Sequence, residues 1–370
     1  MRAPRITVSR PKRASVLVFD NYSKTALLPL LKDVDFQSLD TRGTEINLIS
    51  LIRAMLTRRF WKGERQFAYS LAFAQAVKPK LLVTLIDNNR AFLDLCDELP
   101  HIKSVLIQNG LRNNLAHLVS SSERCIDLYF TFNAAYAALA ENYISGEAIA
   151  IGSVRNNFMP AREIDPSEVH RVIFLSQYID HSDGFEHKSQ DGSKHSWDEF
   201  FELERLVLPI LSEWCSKAGF TLEIKSRYSV ELPAETDFYM SLVAPYKAHI
   251  FHSKSERETY ELLDSGAMFV TIDSTLGYEA LSRGARVAFM SGRGGTLGAD
   301  NRAFGWPNVL EDEGPFWLNE FTETGLKSLL DRVASGAQSD NESFSRLSVM
   351  EFDSGNKKLS RVMSEYAKTT

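Results

Sequence analysis

Residues 268–291, MFVTIDSTLGYEALSRGARVAFMS, decide the fold class of this chain. A continuous apolar run (Met268–Ile272) meets a polar corner at Asp273, Ser274 and Thr275. Leu276–Gly284 then reads as one short helix, and a second apolar run (Val287–Met290) follows. Strand, turn, helix, strand is the βαβ unit of a parallel sheet, because parallel neighbours need a crossover between them. The corner falls at the carboxyl end of a strand and the amino end of a helix. Open α/β sheets bind ligands at that edge, and free backbone N–H groups there suit phosphate. Ser274 or Thr275 can cap the helix, and Gly277 would let a ligand approach the backbone. Glu279 fits no capping box, which needs its Glu three residues after the cap. A carboxylate one turn into such a helix is a natural acceptor for ribose hydroxyls. With Asp273 beside it, the corner predicts an anionic, nucleotide-like ligand; the competing reading is an ordinary capped corner that binds nothing.

Outward from this unit the alternation continues. Ser15–Phe19, Phe36–Leu39, Leu81–Ile86, Lys103–Gln108, Leu128–Phe132 and Ala148–Ile151 read as strands. Lys24–Leu31, Ile46–Phe60, Glu64–Ala76, Arg90–Glu98 and Ala134–Tyr143 carry helical spacing between them. Residues 152–168 are polar and hold Gly152, Pro160 and Pro166, which marks an interdomain linker. Strands and helices then alternate again from Arg171 to the opening unit. The predicted organisation is a basic tail at 1–14, a Rossmann-like domain at 15–155, a linker at 156–168, a second Rossmann-like domain at 169–320 and C-terminal helices at 321–370.

A chain of 370 residues fits two domains of about 150–200 residues each. At 44% hydrophobic and 24% charged it can build real cores, and its net charge of −6 argues against a general nucleic-acid binder. Cys96, Cys125 and Cys215 are scattered without C-x-x-C spacing, which disfavours a zinc site or a disulfide framework and favours a reducing compartment. No run approaches the roughly 20 apolar residues that span a bilayer. The expected location is cytoplasmic. Arg2, Arg5, Arg10, Lys12 and Arg13, with no acid among them, either touch anionic lipid on the inner membrane face or form a solvated tail.

The run D-S-T-L-G-Y-E-A-L-S-R-G at 273–284 resembles the S-T-x-G-x-E-A-L-x-x-G signature of bacterial surface-carbohydrate proteins. These include capsule-synthesis Kdo transferases that use CMP-Kdo, and O-antigen glycosyltransferases of GT-B type. I-D-N-N at 86–89, I-Q-N-G-L-R at 107–112, I-K-S-R at 224–227 and F-G-W-P with G-P-F-W at 304–317 extend the resemblance. It implies the GT-B architecture, two Rossmann-like doubly wound domains facing across a cleft. It also implies transfer of a sugar from a nucleotide donor, a CMP-linked acidic sugar such as Kdo or another nonulosonate, to a surface glycan. The partners would be that nucleotide sugar as co-substrate, with no further cofactor, and a glycan or lipid-linked glycan acceptor. The chain departs from the Kdo transferases where they carry a His-Pro element and it reads I-K-S-R-Y.

Particular residues suit that chemistry. Lys225 and Arg227, two apart at a strand end, could leave one face and neutralise phosphate, or form a plain surface pair. Gly292–Asn301 (GRGGTLGADN) reads as a loop too glycine-rich for a helix, with Arg293 and Arg302 as anion contacts. In the first domain, Asp87 and Asn88 end one strand, and Gln108, Asn109 and Arg112 follow the next. Asp87 could accept a proton from an acceptor hydroxyl, with Asn88, Gln108 and Asn109 on the acceptor side; alternatively it caps the helix after it. Arg112 is suited to grip the carboxylate of an acidic sugar. His181, His187 and His195 crowd one polar loop without metal-ligand spacing, and His181 could serve as acid or base. His249 and His252 read as structural.

Three function classes remain: a GT-B glycosyltransferase, a sugar-nucleotide epimerase or hydrolase of the same architecture, and a non-catalytic glycan-assembly binding protein. No D-x-D element stands at a strand end to hold a divalent ion on a diphosphate, whereas cations and a helix terminus can supply positive potential. Turnover is therefore expected to be unchanged by a chelator; loss with EDTA and recovery with manganese or magnesium would refute this.

Overall fold

The computed structural model describes residues 4–112, 114–161, 170–181, 185–189, 192–297, 302–336 and 349–368. The chain divides into two units. The first holds Met1–Gly110, Leu115–Phe158 and Asp353–Thr370, and the second holds Leu111–Asn114 and Met159–Phe352. Each is built on a six-stranded, wholly parallel sheet, so the GT-B fold class read from the sequence stands.

In the first unit the strands are β1 (Arg5–Thr7), β2 (Val16–Phe19), β3 (Phe36–Leu39), β4 (Glu45–Asn47), β5 (Leu81–Thr84), β6 (Lys103–Ile107), β7 (Leu128–Thr131) and β8 (Glu147–Ala150). The main sheet runs β3-β2-β5-β6-β7-β8, and the order reverses between β2 and β5. Every residue of β2 and β5 is buried, as expected where helices cover both faces of a parallel sheet. Val16, Val83, Val105, Ile107 and Phe130 form one core with Ile151 and Val154, and Leu359 and Met363 complete it from the chain terminus. The C-terminal helix Lys357–Lys368 thus belongs to the first unit.

A buried asparagine pair holds that return. Asn157 Nδ2 donates to Asn356 Oδ1 at 3.0 Å and to the Ile151 carbonyl at 2.7 Å, and Asn356 Nδ2 donates to the Val154 carbonyl at 2.8 Å. Asn356 sits at φ 51°, a left-handed conformation that Asn tolerates better than most side chains.

The second unit contains β9 (Arg171–Leu175), a small hairpin of β10 (His187–Lys188) and β11 (Lys194–His195), then β12 (Thr221–Lys225), β13 (Ala248–Phe251), β14 (Met268–Thr271), β15 (Arg286–Met290) and β16 (Trp317–Leu318). Its sheet runs β13-β12-β9-β14-β15-β16 and reverses between β9 and β14. The opening βαβ unit is β14, the helix Thr275–Ser282 and β15. Among the described residues, no helix is long and apolar enough to cross a membrane.

Several expectations change. The basic stretch at 1–14 is not only a tail: β1 pairs in parallel with β4, Thr7 beside Asn47. Arg293–Leu297, expected to be loop, forms a short helix despite its glycines, because buried Arg293 anchors it; residues 298–301 lie outside the described residues. Val154–Phe158 of the expected linker is helical, and 162–168 lie outside the described residues. The C-terminal region does not act as one piece. Glu323–Ala334 packs within the second unit, where Trp214 Nε1 donates to Asp331 at 2.8 Å, and only the last helix joins the first.

Leu359 is fully buried in the first unit's core although it lies over 200 residues from its partners in sequence. Leu359→Ala should cost about 2–5 kcal/mol by leaving a cavity. A urea transition reported by a first-unit probe should shift accordingly; an unshifted transition would mean the helix is not part of that core.

Candidate functional site

The second sheet reverses direction between β9 and β14, which places a crevice at the carboxyl ends of these two strands, the edge where open α/β sheets bind ligands. Gln177 follows β9 and Asp273 follows β14. Asp273 N donates to Gln177 Oε1 at 3.4 Å, tying the two strand ends together. Arg293 Nη1 donates to Asp273 Oδ1 at 2.6 Å and to Gln177 Oε1 at 3.3 Å, while its Nη2 bonds Glu204 of the helix Glu202–Ala218. Arg302 Nη1 reaches the other Asp273 oxygen at 2.8 Å. The Phe200 ring lies 4.2 Å from the Arg293 guanidinium carbon.

Arg293 and Glu204 are sealed from solvent, while Asp273 keeps 8% and Arg302 21% of its side chain exposed. Arg293 is fully buried and its charge is absorbed by Glu204 and Asp273, so it is not the ligand contact that its glycine-rich neighbourhood suggested. Asp273 is likewise engaged on both oxygens. Burial would raise its pKa, but Arg293 and then Arg302 hold it below the ordinary value. Glu204 goes the other way: burial pushes it up to about 7, against the pull of Arg293. Its Oε2 is buried without a hydrogen-bond partner among the described residues, an environment that favours a proton over a charge.

Other expected donor residues divide by exposure. Ser274 caps the helix, accepting from Leu276 N at 3.3 Å. The Thr275 N–H has no acceptor among the described residues, and Thr275 Oγ1 accepts from Leu111 N at 3.3 Å. That bond brings Leu111–Asn114, and with it half-buried Arg112, to the start of this helix within the second unit, although Arg112 was expected in the first. Gly277 serves packing rather than ligand approach: a Cβ there would lie 2.5 Å from Thr271 Cγ2 of β14. Glu279 is buried and accepts from the Tyr260 hydroxyl at 3.2 Å.

Lys225 and Arg227 do not share a face. The Lys225 side chain is buried, with Nζ donating to the Ser226 carbonyl at 2.6 Å and burial lowering its pKa. The strand ends at Lys225, so the alternation stops there, and Arg227 is exposed. Among the described residues no ion pair or hydrogen bond engages it. His181, also exposed, follows β9 and packs its ring 5.2 Å from Trp197; residues 182–184 after it lie outside the described residues.

The first unit's candidates are mostly structural. Asp87 is fully buried and accepts from the Tyr129 hydroxyl at 3.0 Å, so it is not presented to an acceptor; nor is it the cap, since Asn89 accepts from Ala91 N and Phe92 N. Gln108 is buried, donating to the Gly110 carbonyl at 2.9 Å and accepting from Phe132 N at 2.8 Å. Asn88 and Asn109 are exposed, and Asn109 accepts from the Tyr22 hydroxyl at 3.3 Å. Among the described residues no cluster of His, Cys, Asp and Glu could hold a metal.

Residues 105–367 match the model of a family described as "putative O-antigen biosynthesis protein". The chain belongs to this O-antigen biosynthesis family. No curated protein sequence matches it. Among solved structures it is similar to a "putative UDP-N-acetylglucosamine 2-epimerase" from Listeria monocytogenes, at 12% identity and TM-score 0.56 over 97% of this chain and 98% of that one. It is similar to S. aureus MnaA in its UDP co-structure, at 10% identity and TM-score 0.54 over 96% of each. The wall teichoic acid polymerase TagF with CDPG aligns at 11% identity and TM-score 0.50, over 98% of this chain and 89% of that one. These likenesses are of fold, and they agree with the two-sheet architecture.

Sequence reasoning missed Gln177, Glu204 and Glu235. Glu235 is fully buried and accepts from Ser176 and Ser226, both at 2.6 Å, joining the ends of β9 and β12. The only available signal was a carboxylate in the first turn after Pro233. For Glu204, the folded pKa lies above the ordinary 4.5. Its stabilising contribution is full below pH about 4.5, falls as pH rises to about 7, and is constant above that. Glu204→Gln should flatten this part of a urea-midpoint-against-pH profile; an unchanged decline would exclude Glu204 as its source.

Proposed function

We propose that this chain is a nucleotide-sugar-dependent glycosyltransferase of surface-glycan assembly, with the donor held on the second unit. One observation carries the reading. At the reversal edge of the second sheet, an exposed cation, Arg227, and a helix-start N–H, Thr275, both without a partner among the described residues, stand at the ends of β12 and β14. Those strands flank β9, about 10 Å apart at ordinary strand spacing, a separation a nucleotide phosphate and its sugar can span. Arg112 adds a second cation at the same helix start, whereas Glu279, buried against the Tyr260 hydroxyl, is not presented to a ribose.

The donor we favour carries a pyrimidine nucleotide. The S-T-x-G-x-E-A-L-x-x-G resemblance supports a CMP-linked acidic sugar, whose carboxylate would fall to Arg112. The ligands named with the similar structures, UDP and CDPG, support pyrimidines more broadly. Because Asp87 is sealed beneath Tyr129, the exposed His181 beyond β9 is the better candidate for acid–base work. A second reading, sugar-nucleotide epimerase or hydrolase, draws support from the epimerase fold likeness.

Arg227→Ala should weaken nucleotide binding by about 1.5–3 kcal/mol, the scale of hydrogen bonds to a charged group, with the fold intact because the side chain is exposed. Calorimetric titration with CMP, CDP, UDP and GDP tests both the residue and the base. Wild-type affinity in the variant would remove Arg227 from the site, and preference for GDP would overturn the pyrimidine assignment. His181→Gln should lower turnover with donor affinity unchanged. Incubation of each nucleotide sugar without acceptor separates the readings: a transferase leaves the sugar configuration intact, whereas an epimerised sugar would establish the second.

A further inference from the structure

The helix Leu48–Met55 in the first unit is built inside out. Its buried side chains are the small ones, Ser50 and Ala54, and Ala54 packs with Ala68 and Ala72 of the helix Arg65–Val77. Ile49 and Leu51 are half-buried, while Leu48 is 37% exposed, Ile52 49%, Met55 40% and the following Leu56 82%. Positions 48, 52, 55 and 56 recur at the helical spacing that aligns side chains on one face. The next helix, Arg58–Trp61, adds Trp61 at 71% exposure, its Nε1 held by the Met55 carbonyl at 2.7 Å. A soluble surface has no reason to order such a stripe, because each exposed apolar side chain forgoes the stabilisation of burial.

Cations frame the stripe. Residues 48–65 carry Arg53, Arg58, Arg59, Lys62 and Arg65 against one acid, Glu64. Arg59 pairs with Glu98, but among the described residues Arg53, Arg58 and Lys62 have no ion-pair partner.

We propose that Leu48–Arg65 is a membrane-docking surface that lies in the interface of an anionic bilayer. The apolar stripe and Trp61 would enter the boundary between headgroups and acyl chains, and the arginines and Lys62 would engage lipid phosphates. The charge decides the occupant: a protein partner of this apolar face would meet several unpaired cations at once, whereas an anionic leaflet satisfies all of them. The surface belongs to the first unit and the proposed donor edge to the second, and the proposal does not depend on the transferase reading.

The test is flotation of the full chain with vesicles of phosphatidylcholine alone or mixed with phosphatidylglycerol. Binding is expected only to the mixed vesicles and should weaken with salt. Arg58→Ala and Lys62→Ala should each reduce it about fivefold. Ile52→Glu with Leu56→Glu should abolish it while the circular dichroism spectrum stays unchanged. Failure of the wild type to float with the mixed vesicles would overturn the proposal, as would undiminished binding by the double variant. A solution dimer that Leu56→Glu dissociates, without vesicle binding, would assign the face to a second copy instead.

Discussion

The buried guanidinium of Arg293 is the constraint around which the carboxyl edge of the second unit's sheet is arranged. It is one cation between two carboxylates on different elements, Glu204 from a helix and Asp273 from the end of β14. Bringing three such groups out of water is costly, and only mutual attraction and satisfied hydrogen bonds offset it. Without Arg293, Asp273 would keep Arg302 as its cation, and the buried Glu204 would lose the guanidinium that faces it. Removing one member of such a group typically costs about 3–5 kcal/mol, more than removing the whole group. The consequence is geometric. The β14 corner cannot drift, because Asp273 is fixed through both oxygens and through its own N–H to Gln177. The backbone N–H of Thr275, two residues later, is therefore presented from a rigid corner.

Gly277 contributes to the same rigidity from the other side. The helix Thr275–Ser282 rests so close on β14 that a methyl group would strike Thr271, a β-branched side chain with little freedom to yield. A glycine in such a helix is therefore a packing residue that sets how near the helix start comes to the sheet edge. Ligand approach and helix packing leave the same mark in a sequence. Only the position of the missing Cβ separates them.

This is why the fold was legible and the site only in part. Apolar runs such as Leu81–Ile86 and Val287–Met290, separated by helical spacing, point to parallel sheets with helical crossovers. Burial of an individual charged side chain has no such local signature. Arg293 in a run of glycines reads as a mobile cation, yet its partners lie 89 and 20 residues away. Arg227 and Lys225 read as a pair until the strand's end point is known. Asp87 at a strand terminus looks available, but Tyr129, 42 residues on, closes over it. Leu359 joins the first core only because a buried Asn157–Asn356 pair, 199 residues apart, turns the chain back. Apart from the Lys225–Arg227 pair, each failure concerns a long-range partner, and periodicity carries no information about those.

Net charge misleads in a related way. A chain at −6 suggests indifference to anionic partners, yet charges act locally, within a Debye length of about 8–10 Å. Within 48–65 the balance is five cations to one acid, and these cations surround side chains that core formation would otherwise have taken inside. The helix Leu48–Met55 could have been reversed, with Leu48, Ile52 and Met55 packed inward, had the helix Arg65–Val77 offered room. At the contact the fold instead sets Ala54 against Ala68 and Ala72. The small residues on both helices thus meet at the contact and leave Leu48, Ile52, Met55 and Leu56 on the outer face, so the exposed stripe follows from the packing. A surface specified by its own interior is one the fold maintains whether or not its partner is present.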